Sequence, residues 1–410
     1  MTKKYNILFS GWIMPAAHSY SCVNCFQLLY LYKNYKDCIN FYVDERPYYN
    51  PAWPRKLCYG SKNEILTNEE IFKKWDPSIK IDLEYRITFP YDITRPVDSR
   101  HKVIVFYTSE FKNLEPNYFS VLGQQLPNND LIKDYLTDKN IYFHAPSLWS
   151  AAGLQKYKVE DYRNRVITHG IDPDIIKPLT DDIRMKTRAK YNITNEDILL
   201  LNIGSMTGNK GISLILQVLN ILVNRMKKQN YKLILKGSKD LYNSQLIVKA
   251  YLEQLVQFNI TKEEIDNLIN NHIILIFETI SYNDIAKLYN ASDLYINPYS
   301  AEGFNLTPLE ALACGLSVVI PETGVTMEYV IPIIENGGRE YIHLIKSTLF
   351  TDKNNNTANN IDGNHLLEIV ANFKRPTMSS DKMVSFIQEN YSWSEVSHLL
   401  FNYFDTVINK

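Results

Sequence analysis

The stretch YSAEGFNLTPLEALACG, residues 299–315, decides how the chain is read. It continues an apolar run, LYINPY (294–299), that has strand character, and it ends on Gly315. Two glutamates, Glu302 and Glu310, stand on it with seven residues between them. Thr307 is a good N-cap, Pro308 suits the first helical position and Glu310 lies three residues after the cap. The spacing therefore predicts a helix opened by a reciprocal Thr307–Glu310 capping box and closed at Gly315 by a left-handed C-terminal cap. Capping is a sufficient structural reason for Glu310, but it gives none for Glu302, which precedes the helix on a strand-to-helix turn. The helix N-terminus beside Glu302 offers backbone N–H groups and the positive end of a dipole, a ready anion site. A carboxylate accepts two hydrogen bonds from a vicinal diol. An acid beside an anion site thus suits a ligand that carries both phosphate and hydroxyl groups.

Outward from this stretch, short apolar runs alternate with helical patterns. In the first half the runs are NILF, INFYV (39–43), VIVFY (103–107), IYFHA (141–145) and RVITH (165–169). In the second they are ILLLNIG (198–204), KLILKG (232–237), HIILIF (272–277), LYINPY and LSVVI (316–320). Near-continuous apolar strands separated by helices mean a parallel sheet covered on both faces. The pattern occurs twice, so the expected fold is α/β, two doubly wound Rossmann-like domains facing a central cleft. The Gly- and Pro-bearing segment HGIDPDIIKPLTDD (169–182) marks the break. The expected division is 1–177, 178–385 and a terminal segment, 386–410, whose helix carries Val396, Leu399, Leu400, Tyr403 and Val407 on one apolar face. The Asn-rich tract TDKNNNTANN (351–360) reads as a surface loop.

The run from Glu302 to Gly315 resembles the EGFGLxxxEAMACG signature of retaining GT-B glycosyltransferases, specifically glycosyltransferase family four. The resemblance implies that Glu302 contacts donor-sugar hydroxyls and Glu310 the ribose of a nucleotide-diphosphate sugar. Between them, the backbone around Gly303, Phe304, Asn305, Leu306 and Thr307 would meet the diphosphate. Asn305 stands where the family has its second glycine. GSMTGNKG (204–211) is one residue short of a Walker A loop. It resembles instead the family's diphosphate loop, with Gly204 and Lys210 matching and Ser205 in the place of an arginine; a solvated loop lysine is the plainer reading of Lys210. KLILKG resembles the strand and turn that bring Gly237 to the donor. ETISYNDIAKLYNASDLYINPYS (278–300) resembles the stretch leading into the signature, with Asp293 and Pro298 matching. HAPSLWSAAGL…RVITHGID (144–172) and SWSEVSHLLFNYF (392–404) resemble the end of the family's first domain and the helix that crosses back onto it. In the first domain the resemblance is weaker. Tyr107 aligns with a sugar-contacting histidine, with Glu110 three residues on; either would face the sugar, or Tyr107 belongs to the core. His18 and Ser19, after the first strand, are candidates for donor or acceptor contacts, or form a structural turn.

The remaining composition narrows the function. With 44 basic and 45 acidic residues the net charge is -1, so no basic excess points to nucleic acid. Five scattered cysteines suit a reducing compartment rather than a disulfide framework, and Cys22 and Cys25 form a CxxC with no second pair at zinc spacing. The apolar N-terminal stretch is broken by Asn6, Ser10, Gly11 and Pro15, so it reads as a strand rather than a signal peptide, and no run approaches the ~18 residues of a membrane span. A cytoplasmic location is expected. Asp172 and Asp174 mimic a metal-binding DxD, but in an interdomain segment, and no metal or cofactor is expected. The expected activity is metal-independent, retaining transfer of a sugar from a UDP- or GDP-linked donor to a glycan, protein or lipid. A nucleotide-sugar epimerase of the same fold and a catalytically decayed nucleotide-sugar-binding protein are the alternatives. The aromatic-rich 45–60 would line an acceptor groove or pack under a loop.

Overall fold

The structure, a computed structural model, describes residues 4–11, 19–45, 73–96 and 101–410. The elements used below are strands β1 (Tyr5–Gly11), β2 (Ile39–Glu45), β3 (Lys73–Lys74), β4 (Leu83–Ile87), β5 (Lys102–Phe106), β6 (Ile141–Ala145) and β7 (Asn164–Val166), then β8 (Ile198–Ile203), β9 (Tyr231–Lys236), β10 (Ile273–Ile276), β11 (Leu294–Ile296), β12 (Ser317–Pro321), β13 (Ile342–Ile345), β14 (Ser347–Thr351) and β15 (Thr357–Ile361). The helices are α1 (Ser19–Tyr35), α2 (Asp181–Lys190), α3 (Ile212–Asn220), α4 (Tyr282–Ala291), α5 (Leu306–Ala313) and α6 (Trp393–Ile408). The chain divides into two compact units: residues up to Gly170 together with Tyr391–Lys410, and Ile171–Asn390.

The first unit holds a seven-stranded parallel sheet in the order β7-β6-β5-β4-β1-β2-β3. The expected apolar strands are all there. β4, LEYRI, was not among them, because it carries Glu84 and Arg86 between apolar residues. Both charged side chains are buried and pair at 2.7 Å, which offsets the cost of removing each from water. A parallel strand inside a sheet can thus lack a continuous apolar run. Helix α6 packs within this unit against α1. Phe26 and Trp393 stack with ring centroids 5.5 Å apart, Tyr35 and Phe401 at 3.9 Å. Asn34 Nδ2 donates to Ser397 Oγ at 2.9 Å, and the Tyr403 hydroxyl to the Phe143 carbonyl at 3.0 Å. Ser392 caps α6, its Oγ accepting from Glu395 N at 3.2 Å. Gly170 admits this packing: a Cβ there would lie 2.7 Å from Trp393 N. Leu399, expected on the apolar face, is instead exposed, while Phe404, one turn after the buried Leu400, joins the face.

The second unit holds a six-stranded parallel sheet, β10-β9-β8-β11-β12-β13. Leu200, Leu233 and Leu294 on its inner strands are fully buried, each worth ~1.5–3 kcal/mol over exposure. The Asn-rich tract corrects an expectation, since its second half is not loop. Residues 357–361 form β15, antiparallel to β14. Asp352 Oδ1 accepts from Asn354 N and Asn356 N to make the turn, and the buried Asn359 fastens the hairpin to the 299–305 turn, its N donating to the Ser300 carbonyl at 2.7 Å. No described helix is long and apolar enough to cross a membrane.

Candidate active site

Strand β11 delivers the chain to Asn297 and Pro298, and the glutamate stretch begins there. Neighbouring loops hold its turn from both sides. Ser300 N donates to the Asn209 carbonyl at 2.8 Å, and Asn209 Nδ2 to the Ala301 carbonyl at 2.9 Å. The Tyr299 hydroxyl meets Thr326 Oγ1 at 2.9 Å. Gly211, at φ +71°, passes so close to Pro298 that a Cβ would lie 2.3 Å from its carbonyl oxygen, so no other residue fits.

Helix α5 does not start as the capping-box reading had it. It begins at Leu306, after Asn305 at φ +66°, ψ +68°. Thr307 is already inside the helix, and its Oγ1 accepts from the Tyr295 hydroxyl at 2.7 Å. The Glu310 carboxylate turns to Tyr282 and Tyr289, whose hydroxyls donate to Oε1 and, at 2.7 Å, to Oε2. The physical reason is Asn305: asparagine is the side-chain-bearing residue that best tolerates the left-handed region, so it reverses the chain where the family resemblance has glycine and starts the helix early. Its side chain pairs with Asn297 at 3.4 Å, and the Tyr329 hydroxyl donates to its carbonyl at 2.9 Å. Asn305 makes no side-chain cap bond to α5, which leaves the positive end of the helix dipole to an anion. At the other end Gly315, at φ +74°, forms the expected left-handed cap.

The glycine loop after β8 comes to the same turn. Its 3-10 segment Gly208–Lys210 places the Lys210 ammonium on Glu302 Oε1, with the two side chains 17 % and 10 % exposed. Lys210 is therefore an ordered, largely enclosed cation and not a solvated loop lysine. Ser205, in the place of an arginine, meets Thr207 Oγ1 at 2.8 Å, and Thr207 in turn donates to Asn209 Oδ1 at 2.7 Å. Gly204 borders the Lys210 stem, 3.9 Å from where its Cβ would stand. Gly237 packs against Ser244, where a Cβ would lie 2.5 Å away, so its position has a packing reason. Phe304 and Leu306 flank Asn305 on the turn; Phe304 packs on the Tyr329 ring.

The structure thus brings Lys210, Glu302 and the α5 N-terminus together, with Glu310 one helical turn further on. Other candidates fall elsewhere. Tyr107 lies in the core of the first unit, its hydroxyl donating to Asn164 Oδ1 at 2.9 Å, and burial raises its pKa. This corrects its reading as a sugar-facing residue. Glu110 is exposed, its carbonyl accepting from Trp149 Nε1 at 2.8 Å. Ser19 is exposed at the start of α1, while His18 and residues 46–60 lie outside the described residues. Asp172 Oδ1 accepts from Asp174 N at 3.0 Å, an Asx turn.

Sequence reasoning missed the tyrosines that build the site: Tyr282, Tyr289, Tyr295 and Tyr329. The signal was the chain's 29 tyrosines, which composition alone could not place. It also missed how Asp293 anchors β11. Asp293 Oδ1 accepts from Arg184 and Arg375, both at 2.7 Å; Oδ2 accepts from Leu199 N at 2.8 Å and from Arg188 at 3.1 Å.

Glu310 is 4 % exposed. Burial pushes its carboxyl up to about 7, although both tyrosine bonds pull it down. A carboxyl whose folded pKa is raised makes the folded state hold more protons than the unfolded chain between the two values, so stability falls as pH rises between ~4.5 and 7. At full ionisation the loss approaches about 3 kcal/mol. Melting curves of the wild type and Glu310→Gln from pH 4.5 to 8 should therefore diverge in the variant's favour as pH rises. Parallel curves would show that Glu310 titrates in its ordinary range.

Two doubly wound Rossmann-like units with this glutamate turn define a GT-B glycosyltransferase fold. More narrowly, residues 183–337 match the family model "Glycosyl transferases group 1". Among curated proteins, a glycosyltransferase of Methanocaldococcus jannaschii is 26% identical over 167 residues, 40% of this chain and 38% of that protein. The chain spans well under two thirds of the length of the curated relatives it matches. Among solved structures, a glycosyltransferase from Rickettsia africae superposes with TM-score 0.65 at 15% identity, covering 99% of both chains. Anabaena HepE, solved with UDP and glucose, gives TM-score 0.62 at 15% identity over 98% of this chain and 99% of its own.

Proposed function

We propose that this chain transfers a sugar from a nucleotide-diphosphate donor to a glycan, protein or lipid acceptor, with retention of anomeric configuration and without a metal. The observation that carries the reading is the Lys210–Glu302 pair at the N-terminus of α5. Glycosyl transfer passes through an oxocarbenium-like state while charge builds on the leaving diphosphate, and only interactions stronger in that state than in the ground state accelerate it. Lys210 and the α5 dipole would meet the diphosphate. The incoming phosphate would draw Lys210 from Glu302, freeing that carboxylate for sugar hydroxyls, while Glu310 would take the ribose diol. With no general base assigned to the acceptor, the leaving phosphate would accept its proton on the same face, which is why retention is proposed. The UDP in the HepE structure supports a uridine donor first.

One observation favours a second reading. Ser205 bonds Thr207 and supplies no charge, so the diphosphate would be met by one cation fewer, as in a protein that binds nucleotide sugars without turning them over.

A thermal-shift panel of UDP, GDP, ADP and CDP and their sugar conjugates, with and without EDTA, tests both. A site-specific ligand at 100 times its Kd adds about 2.7 kcal/mol. The expected result is a clear shift with one base, unchanged by EDTA, followed by turnover of its sugar conjugate when acceptors are supplied. No shift with any nucleotide in a folded sample would sink the proposal; a shift without transfer would favour the second reading.

A further inference from the structure

Both oxygens of Glu310 are occupied within the fold. Tyr282 donates to Oε1 and Tyr289 to Oε2, and the carboxylate is buried. A ribose diol recognised by a carboxylate places one hydroxyl on each oxygen, so a nucleotide has to share or displace a tyrosine hydroxyl. The two tyrosines are not equally able to yield. Tyr289 is fully buried in the body of α4, and its ring packs on Tyr295 with centroids 5.9 Å apart. Tyr282 is also buried, but it is the first residue of α4, directly after the N-cap Ser281, and both its chain neighbours, Ser281 and Asn283, are exposed. A side chain at the first helical position has no preceding helical turn behind it, so rotamers that are blocked for Tyr289 in the body of the helix are open to Tyr282.

We propose that Tyr282 is a positioning and specificity residue: its hydroxyl holds Glu310 Oε1 in the unliganded protein and competes there with one hydroxyl of the nucleotide ribose. The idea rests on the assignment of Glu310 to the ribose under the proposed function. Its consequence is that the wild-type protein discriminates ribose from 2′-deoxyribose less sharply than a bare carboxylate would, because a nucleotide lacking the 2′-hydroxyl leaves the Tyr282–Glu310 bond in place.

Binding of UDP, GDP and ADP, each against its 2′-deoxy counterpart, would be measured by calorimetry for wild type, Tyr282→Phe and Tyr289→Phe, and for Tyr282→Phe in a Glu310→Gln background. Melting temperatures would establish that each variant is folded. Tyr282→Phe should tighten binding of the ribonucleotide about 2- to 10-fold, the size of one net hydrogen bond, and change the deoxynucleotide less, so that their ratio rises. Tyr289→Phe should not raise that ratio, and the Glu310→Gln background should abolish the effect. An unchanged ratio in Tyr282→Phe, or an equal rise in both backgrounds, overturns the inference while leaving the glycosyltransferase reading intact. A wild-type protein that binds none of the ribonucleotides overturns both. If Tyr282→Phe does not fold, Tyr282→Leu gives the same comparison with the hydroxyl likewise removed.

Discussion

Lys210→Ala should lower turnover about 100- to 1000-fold, the loss that follows removal of one preorganised donor to a developing oxyanion. The Lys210 ammonium sits on Glu302 at the N-terminus of α5, so it is already held where the leaving diphosphate would gather charge. Its effect should appear in kcat more than in nucleotide affinity, because an interaction that tightens only in the transition state lowers kcat and kcat/KM together. Glu302→Ala provides the companion measurement: it should harm turnover more than UDP or GDP affinity. A loss of only two- or three-fold for Lys210→Ala would remove that residue from the chemistry. A collapse of nucleotide affinity in Glu302→Ala would mean that the two side chains divide the work differently.

Asp293→Ala should cost the fold about 3–5 kcal/mol, the range for removing one partner of a buried ion pair. Asp293 and Arg188 are each only 1 % exposed at the side chain, and Arg184 and Arg375 converge on the same carboxylate. Without it, three guanidinium groups crowd together beside the start of β11 and lose the carboxylate they share. For a unit of this size, about 2–4 °C of melting temperature is lost per kcal/mol, so a fall of about 6–20 °C is expected by calorimetry. The arginines also donate to backbone carbonyls, Arg184 to Asn290 and Ser292 and Arg188 to Ala291, Thr194 and Asp197. A loss under about 1 kcal/mol would show that these carbonyls are enough to hold the arginines. Because β11 leads directly into the glutamate turn, the substitution should also reduce activity in protein that remains folded, with less specificity for the chemical step than Lys210→Ala.

The parts legible in the sequence share one property: their signal is local. The apolar runs 198–204, 232–237 and 294–299 announce strands because a parallel strand covered on both faces needs apolar residues throughout. Gly315 announces a helix end because the left-handed region costs glycine little. Glu302 and Glu310 were recognisable from their place on the strand-turn-helix, and Lys210 from the family resemblance of its loop. The misreadings came where a partner far along the chain changes what a residue does. β4 was passed over because Glu84 and Arg86 look like surface until each is seen to neutralise the other. The capping box failed because Tyr282, Tyr289 and Tyr295, from 12 to 28 residues away, take the very groups it would have used. Tyr107 stood open between a sugar contact and the core until Asn164, 57 residues on, was found at its hydroxyl.

By itself, then, the sequence determined the α/β alternation, the strand-turn-helix at 294–315 and the identity of the charged residues on it, since each follows from backbone preferences and apolar spacing within a few residues. Only the tertiary structure decided that Lys210 neutralises Glu302, that Asp293 is held by three arginines and that Glu310 faces two tyrosines. Those are pairings between polar groups distant in the chain, and burial makes them binding: a polar group withdrawn from water must find a partner wherever the fold provides one.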